Sequence, residues 1–237
     1  MRLMQHEENN IIQKDDYHGK KVFIGVGHGG SDPGATFAGL IEKNINLIMA
    51  LACESELLRH GVRVRLSRGT DENDPVSQEV SECNIFNPDI AIDIHNNAGG
   101  GDGFEAYYYP GNNKGLKLAQ KLEKEIKAIG QNSRGLKSSS TLQFLKSTNC
   151  TSVLVEGFFL DNAKDRSLVN TAKKQQEFGK AYAKGILKYL GIPYVAPTCS
   201  TQTKVYRVQV GAFKNKSSAD NLAKELASKG YSAFIVD

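Results

Sequence analysis

Two histidines and two glutamates in this sequence have the types and positions needed for metal-assisted hydrolysis. His28, His95 and Glu156 each follow a short apolar run. Glu42 opens a helical pattern just after a glycine-rich turn. Two imidazoles and one carboxylate are a common ligand set for catalytic zinc, and they leave one position open to water. A second carboxylate that does not bind the metal can take and return a proton as water attacks an amide. The four residues therefore predict a zinc hydrolase, provided that they converge.

Each of these residues also has a simpler explanation. A histidine at a strand end is more often a surface or core residue than a ligand, and the helix dipole favours a glutamate at a helix start. Glu156 is harder to explain in this way, because it follows the apolar strand "TSVLV", and burying a carboxylate there costs free energy. Asp32 could orient an imidazole or stabilise the turn, and we favour the turn. The remaining histidines are assigned no chemistry: His6, His18 and His60.

Strand-like and helical patterns alternate along most of the chain. The predicted strands are Lys21–Gly27, Val62–Leu66, Ile90–Ile94, Phe104–Tyr109, Leu142–Phe144 and Ser152–Val155, and the predicted helices are Glu42–His60, Leu116–Ile129 and Ala172–Leu190. This alternation is typical of an α/β fold, and we expect about six strands in a mostly parallel sheet flanked by helices. Ligands of such sheets bind at the carboxyl ends of the strands, which is where both histidines and the second glutamate lie.

The chain is predicted to have four parts. They are a polar leader (1–20), a catalytic domain (21–191), a linker with two prolines (192–203) and a small C-terminal βαβ unit (204–237). The last part is too short to bury an adequate core by itself.

Composition excludes several classes of function. The chain of 237 residues is 40% hydrophobic and 24% charged, which is an ordinary globular mixture. No run of about 18 apolar residues is present, so no transmembrane segment is expected. The net charge of +4 fits either simple solubility or attraction to acidic polymers. The basic residues are scattered, so no nucleic-acid partner is expected.

Four cysteines are present: Cys53, Cys83, Cys150 and Cys199. None forms a CxxC pair, which makes a thiolate zinc site improbable. We interpret them as buried, inert thiols rather than as a disulfide or a nucleophile.

Four segments closely resemble the zinc-dependent N-acetylmuramoyl-L-alanine amidases, in that family's order and over about residues 21–191. They are "GHGGSDPGA", "GLIEKNINL", "DIAIDIHNNAGG" and "SVLVEGFFLDN". The resemblance implies Zn²⁺ bound by His28, Glu42 and His95, with Glu156 as the catalytic acid and base. It also implies hydrolysis of the amide between the lactyl group of N-acetylmuramic acid and L-alanine of the stem peptide in peptidoglycan. We further expect Asn96 to contact the substrate.

Smaller features support or qualify this resemblance. The segment "RLSRGTDEN" resembles the family's strand-Thr-Arg-x-x-Asp segment, with Ser67 in place of threonine. Glu79 lies near the point where the family usually has an arginine, and we interpret it as part of a changed structural ion pair. Asn97 stands where a small residue is common, which predicts an altered rim of the crevice.

The C-terminal unit resembles one repeat of the sporulation-related (SPOR) peptidoglycan-binding domain, which usually pairs two βαβ units on one sheet. By this resemblance, residues near Gln209 would face glycan strands that lack stem peptides. A half-domain that binds nothing well is an equally open interpretation.

Two other functions stay open at this point. One is a zinc peptidase that cuts within the stem peptide, and the other is a non-catalytic wall-binding protein on an amidase fold. Peptidoglycan is the expected partner in every case, and the oligomeric state is not indicated. The leader lacks the apolar centre of a secretory signal, so we expect synthesis in the cytoplasm. Action on the wall would then follow lysis, as for a phage-type endolysin or a sporulation autolysin, or nonclassical release.

Overall fold

The structure is a computed structural model that describes residues 19–197, 213 and 215–228. The chain divides into two compact units, Met1–Val195 and Ala196–Asp237. The first unit contains the sheet and the candidate site. In the second unit, the described element is one helix, Lys216–Ser228. The two strands predicted around that helix lie outside the described residues, as does Gln209.

The described part of the chain contains eight strands. They are β1 (Lys21–Val26), β2 (Thr36–Phe37), β3 (Leu40–Ile41), β4 (Arg63–Leu66), β5 (Ile90–Asn97), β6 (Phe104–Tyr108), β7 (Ser133–Ser138) and β8 (Thr151–Phe159). Six of them form one sheet in the order β4-β1-β5-β8-β6-β7, and β2 pairs with β3 in a small hairpin. Within the six-stranded sheet, neighbouring strands are parallel except where β6 meets β8. The prediction of a six-stranded, mostly parallel α/β sheet is therefore confirmed.

Helices cover both faces of this sheet. In chain order they are α1 (Glu42–Arg59), α2 (Val76–Phe86), α3 (Asn113–Ala128), α4 (Gln143–Ser147), α5 (Ala163–Val169) and α6 (Ala172–Leu190). Helices α1, α3 and α6 pack on one face against alternate apolar residues of the strands, such as Val22, Ile24 and Ile92. Gly179 allows α6 to approach α1 closely, because a Cβ there would lie 2.1 Å from the Met49 carbonyl oxygen.

The opposite face of the sheet changes from apolar to polar along the strands. Phe23, Ala91 and Leu154 form a smaller core there with residues of α2 and α4. Further along their strands, the same face presents His95 on β5 and Glu156 on β8. These two residues are partners in the parallel register, so both side chains lie on one face near the carboxyl ends.

Two local predictions differ from the structure. Leu142–Phe144 was predicted as a strand, and this is wrong, because Gln143 begins the short helix α4. Phe144 and Leu145 pack into the smaller core, and this tertiary burial outweighs the strand-like local composition. Strand β7 was not predicted, because its segment "SRGLKS" has no apolar alternation. It is an edge strand with no buried residue, so a hydrophobic pattern is not required.

The three described cysteines are free thiols. Cys53 is fully buried in α1, and burial raises its pKa. The Sγ atoms of Cys83 and Cys150 lie 3.9 Å apart, at the distance of a weak thiol hydrogen bond and without a disulfide. Cys199 lies outside the described residues. Among the helices of the described ranges, none combines the length and the apolar character that a membrane span requires.

Candidate active site

His28 lies in a tight turn directly after β1. It has a φ of 64°, a left-handed conformation that is uncommon for a residue other than glycine. Gly29 and Asp32 close the turn with two backbone hydrogen bonds of 2.9 and 3.0 Å. Asp32 Oδ2 lies 2.8 Å from His28 Nδ1, and Asp32 Oδ1 accepts the Gly34 amide at 3.0 Å. Asp32 therefore stabilises the turn, as favoured from the sequence, and also orients the imidazole.

Glu42 is a buried carboxylate at the first turn of α1, and it is only 2% exposed. Its Oε2 accepts the Ala35 amide and its Oε1 accepts the Asn96 amide, both at 2.8 Å. His28 Nε2 lies 3.2 Å from Oε2, and His95 Nδ1 lies 3.3 Å from Oε1. Burial alone would raise the pKa of Glu42, but its hydrogen bonds with the two histidines outweigh burial and hold the pKa far below its usual range. The site therefore attracts positive charge.

The two imidazoles have equivalent surroundings. Each directs one ring nitrogen at Glu42 and the other at an aspartate, which is Asp32 for His28 and Asp93 for His95. His95 Nε2 lies 3.5 Å from Asp93 Oδ2. Burial opposes protonation of His95, but Asp93 and then Glu42 raise its pKa well above the usual value. A carboxylate on the far nitrogen fixes the tautomer of a metal-binding histidine, so this arrangement is suited to two ligands.

The residues fit a divalent metal ion. One potential ligand atom from each of His28, Glu42 and His95 lies within 4.8 Å of the other two. Gly34 keeps the space beside them clear, because a Cβ on this residue would lie 2.6 Å from both Glu42 Oε2 and His28 Cδ2. Gly27 does the same for His95, whose ring would lie 2.2 Å from an added Cβ. Two nitrogens and one carboxylate oxygen are a donor set that favours zinc.

Glu156 adjoins this cluster without belonging to it. It is the register partner of His95 on the neighbouring strand, and its buried Oε2 has no hydrogen-bond partner within the described residues. Burial raises the pKa of Glu156 to about 7, against the opposing effect of His95. A carboxyl group with such a pKa can both accept and donate a proton near neutral pH.

Asn46 joins the three segments that carry the candidate ligands, and the sequence analysis missed it. Its Nδ2 donates to the Gly27 carbonyl at 2.9 Å, and its Oδ1 accepts from Asn96 Nδ2 at 2.6 Å. Its position four residues after Glu42, on the same helix face, was the signal that could have identified it. Asn96, which is expected to contact substrate, is 3% exposed; its backbone amide donates to Glu42 and its side chain donates to Asn46. Its substrate-binding role stays a prediction.

Arg68 supports the same region from the segment after β4. The guanidinium is buried and donates to the Val26 carbonyl at 3.0 Å and to the Lys43 carbonyl at 2.8 Å. Asp71, three residues later, accepts both the Gly30 amide and the Lys43 ammonium at 2.8 Å. The segment that resembles the family's Thr-Arg-x-x-Asp motif thus connects the His28 turn to the start of α1.

The expectation of an ion pair at Glu79 is wrong. Glu79 is 2% exposed and makes no ion pair in the described part of the chain, and its hydrogen-bond donor is Ser67 Oγ at 3.3 Å. Burial, and then the charges of Asp93 and Asp74, raise the pKa of Glu79 to about 9. A neutral carboxyl group therefore occupies this position, because burial without a cation disfavours its charged form.

Comparison with known families agrees with this geometry. Residues 22–188 match the family model described as N-acetylmuramoyl-L-alanine amidase. The chain belongs to this family. Residues 202–237 match the SPOR domain, so the amidase domain is followed by a second segment of a kind that acts on peptidoglycan. Peptidoglycan is accordingly the partner of this amidase.

Curated relatives extend the likeness beyond the amidase domain. The N-acetylmuramoyl-L-alanine amidase CwlM of Bacillus licheniformis is 34% identical over 220 residues, which cover 91% of this chain and 84% of the relative. The sporulation-specific N-acetylmuramoyl-L-alanine amidase of Bacillus subtilis is 33% identical with the same coverage.

Solved amidase structures share the fold. The catalytic domain of CwlV, an N-acetylmuramoyl-L-alanine amidase from Bacillus (Paenibacillus) polymyxa, is 29% identical with a TM-score of 0.68, over 73% of this chain and 99% of that one. AmiC2 of Nostoc punctiforme has the same identity and TM-score, over 73% and 97%.

Replacement of Asn46 tests how the amidase holds its candidate ligands. Asn46→Ala should weaken Zn²⁺ binding by about 10- to 100-fold, because it frees the Gly27 carbonyl and leaves the buried Asn96 amide without its partner. Competition against a chromogenic chelator measures this affinity. The control is Asn84→Ala, which removes a hydrogen bond of 2.9 Å to the Ser147 carbonyl in α4. Equal affinities for wild type and Asn46→Ala would contradict this role.

Proposed function

We propose that this protein is a zinc-dependent amidase that hydrolyses the bond between the lactyl group of N-acetylmuramic acid and L-alanine of the stem peptide. The proposal is carried by one observation. Donor atoms of His28, Glu42 and His95 converge within 4.8 Å, and Glu156 lies on the adjacent strand in register with His95. Membership in the amidase family supplies the identity of the bond.

His28, Glu42 and His95 would hold the metal. Zn²⁺ at such a site supplies Lewis acidity toward a carbonyl oxygen and lowers the pKa of water. Asp32 and Asp93 keep the far ring nitrogens occupied, so that the nitrogens facing Glu42 present lone pairs. The buried Glu42 carboxylate partly balances the charge of the cation.

Glu156 moves the proton in this proposal. Its carboxylate accepts a proton from the attacking water, and the same group then returns the proton to the amine of L-alanine as that group leaves. The buried position supports this exchange, because the charged and neutral forms of Glu156 are close in free energy near its pKa of about 7. A fully solvated glutamate would stay ionised and would be a poorer acid.

The C-terminal segment would hold the enzyme on the wall polymer. This role rests on the SPOR match of residues 202–237. Gln209, expected to face glycan strands, belongs to this match and stays part of the proposal. We also keep the proposal that the enzyme reaches the wall after lysis or by nonclassical release.

The products of digestion test the proposed function directly. Mass spectrometry of purified peptidoglycan treated with the protein should reveal free lactyl carboxylates on muramic acid together with intact stem peptides. Shortened stem peptides would instead indicate a peptidase, and binding without any release of amino groups would indicate a non-catalytic wall-binding protein. Either result would contradict the amidase assignment.

Replacement of Glu156 tests the proton transfer. Glu156→Gln should lower kcat by about 100-fold or more, because the amide cannot accept and return a proton. Its melting temperature and its Zn²⁺ content should stay close to those of the wild type, since Glu156 is outside the ligand cluster.

The matched control is Glu177→Gln, an exposed position on α6 at the opposite face of the sheet. This variant should retain wild-type activity. A folded, zinc-loaded Glu156→Gln protein with near-normal kcat would exclude Glu156 as the proton-transfer group.

A further inference from the structure

The row of side chains that contains His95 and Glu156 continues onto the next strand. Glu156 on β8 is the antiparallel register partner of Glu105 on β6. Residues directly opposite each other on neighbouring strands point to the same face, with Cβ atoms about 5 Å apart. Glu105 therefore lies beside Glu156, on the side away from His95.

Glu105 is a buried carboxylate that forms ion pairs with two cationic side chains. It is 2% exposed, and it accepts from Tyr107 Oη at 2.8 Å, from Arg134 Nε at 2.7 Å and from Lys137 Nζ at 2.5 Å. Burial would raise the pKa of Glu105, but the bonds from Lys137 and Arg134 outweigh it and lower the pKa. Two positive charges therefore meet at Glu105, and Asp102 adds a second carboxylate beside Arg134.

Both cations keep donor capacity and access to solvent. The side chains of Arg134 and Lys137 are 41% and 40% exposed. Lys137 can direct its remaining N–H groups outward. Arg134 forms a solvent-exposed ion pair of 3.7 Å with the half-exposed Asp102 through Nη1, and its Nη2 keeps free donor capacity. The guanidinium lies 5.2 Å from the centre of the Phe159 ring, which restricts its orientation.

The charges around Glu156 favour an anionic group of the substrate beside Arg134 and Lys137 and disfavour it on the other sides of Glu156. Glu42, Asp93 and Glu105 all surround Glu156 with negative charge. A carboxylate on the substrate would be repelled by these groups and attracted by the two cations of β7. We propose that Arg134 and Lys137 form a subsite for a carboxylate of the stem peptide, an inference that rests on the proposed function.

This subsite would fix the orientation in which the substrate binds across the strands. The glycan strand and the amide-linked lactyl group carry no charge, whereas the stem peptide carries carboxylates. The stem peptide therefore extends from Glu156 toward β6 and β7, and the glycan lies on the side of His28. The charged groups of Arg134 and Lys137 reach back to Glu105 on β6, one strand spacing of about 5 Å from β8, and two extended residues cover about 7 Å. The carboxylate in range is that of the second stem residue.

Two synthetic substrates test the subsite. Both are muramoyl peptides with the same scissile amide, and the second stem residue carries a free α-carboxylate in one and a carboxamide in the other. Wild-type kcat/KM should be roughly tenfold or more higher for the carboxylate, as expected for charge-assisted hydrogen bonds. Arg134→Gln and Lys137→Gln should each reduce this preference, because kcat/KM should fall more for the carboxylate than for the carboxamide.

Each single variant leaves one cation beside Glu105, and thermal melting monitors its folding. The control is Lys117→Gln, an exposed position on α3 at the other face of the sheet, which should keep the full preference. Equal wild-type rates on the two substrates would overturn the subsite while leaving the amidase proposal intact. An equal loss on both substrates in the Arg134 and Lys137 variants would also overturn it. A wild-type protein that cleaves neither substrate would contradict the amidase proposal, and the subsite with it.

Discussion

The buried carboxylate of Glu42 is the constraint on which the rest of the site depends. An ionised group at 2% exposure must be compensated, and here the chain does so with two backbone amides and two imidazoles. Those partners belong to the segment after β1 and to the end of β5, and Glu42 itself lies at the start of α1, so three segments meet at this carboxylate. The folding of the sheet and the assembly of the candidate ligands are therefore one event, because the carboxylate is compensated only when all three segments are in place.

A gradient of polarity along one face of the sheet explains where the chemistry lies. Phe23, Ala91 and Leu154 fill the face beneath α2 and α4. Beyond them the same face carries Asp93, His95 and Glu156. Asp93 raises the pKa of His95 against the effect of burial, and burial, together with the charges of Glu42, Asp93 and Glu105, raises the pKa of Glu156. Such an environment attracts a cation and keeps Glu156 able to exchange a proton.

The sequence was sufficient for the fold class, and it pointed to four residues that the structure brings together, because both leave strong local signals. Strand and helix periodicities alternate clearly, and polar residues directly after buried strands are unusual enough to be noticed. The supporting residues had weaker signals. Asn46 is one of several polar residues in α1, and only its spacing from Glu42 sets it apart from the exposed ones. Arg68 belongs to a loop whose bonds to the Val26 and Lys43 carbonyls arise only in the folded chain. Strand β7 and helix α4 were mistaken because edge position and tertiary packing decided their conformation.

Anomalous diffraction at the zinc absorption edge tests the central claim most directly. A crystal of the protein loaded with Zn²⁺ should give one strong peak in contact with His28 Nε2, His95 Nδ1 and a carboxylate oxygen of Glu42, at distances of about 2.0–2.2 Å. Glu156 should lie beside this peak without contacting the ion. A crystal that contains zinc but places it elsewhere, or that has Glu156 as a ligand in place of Glu42, would contradict the account.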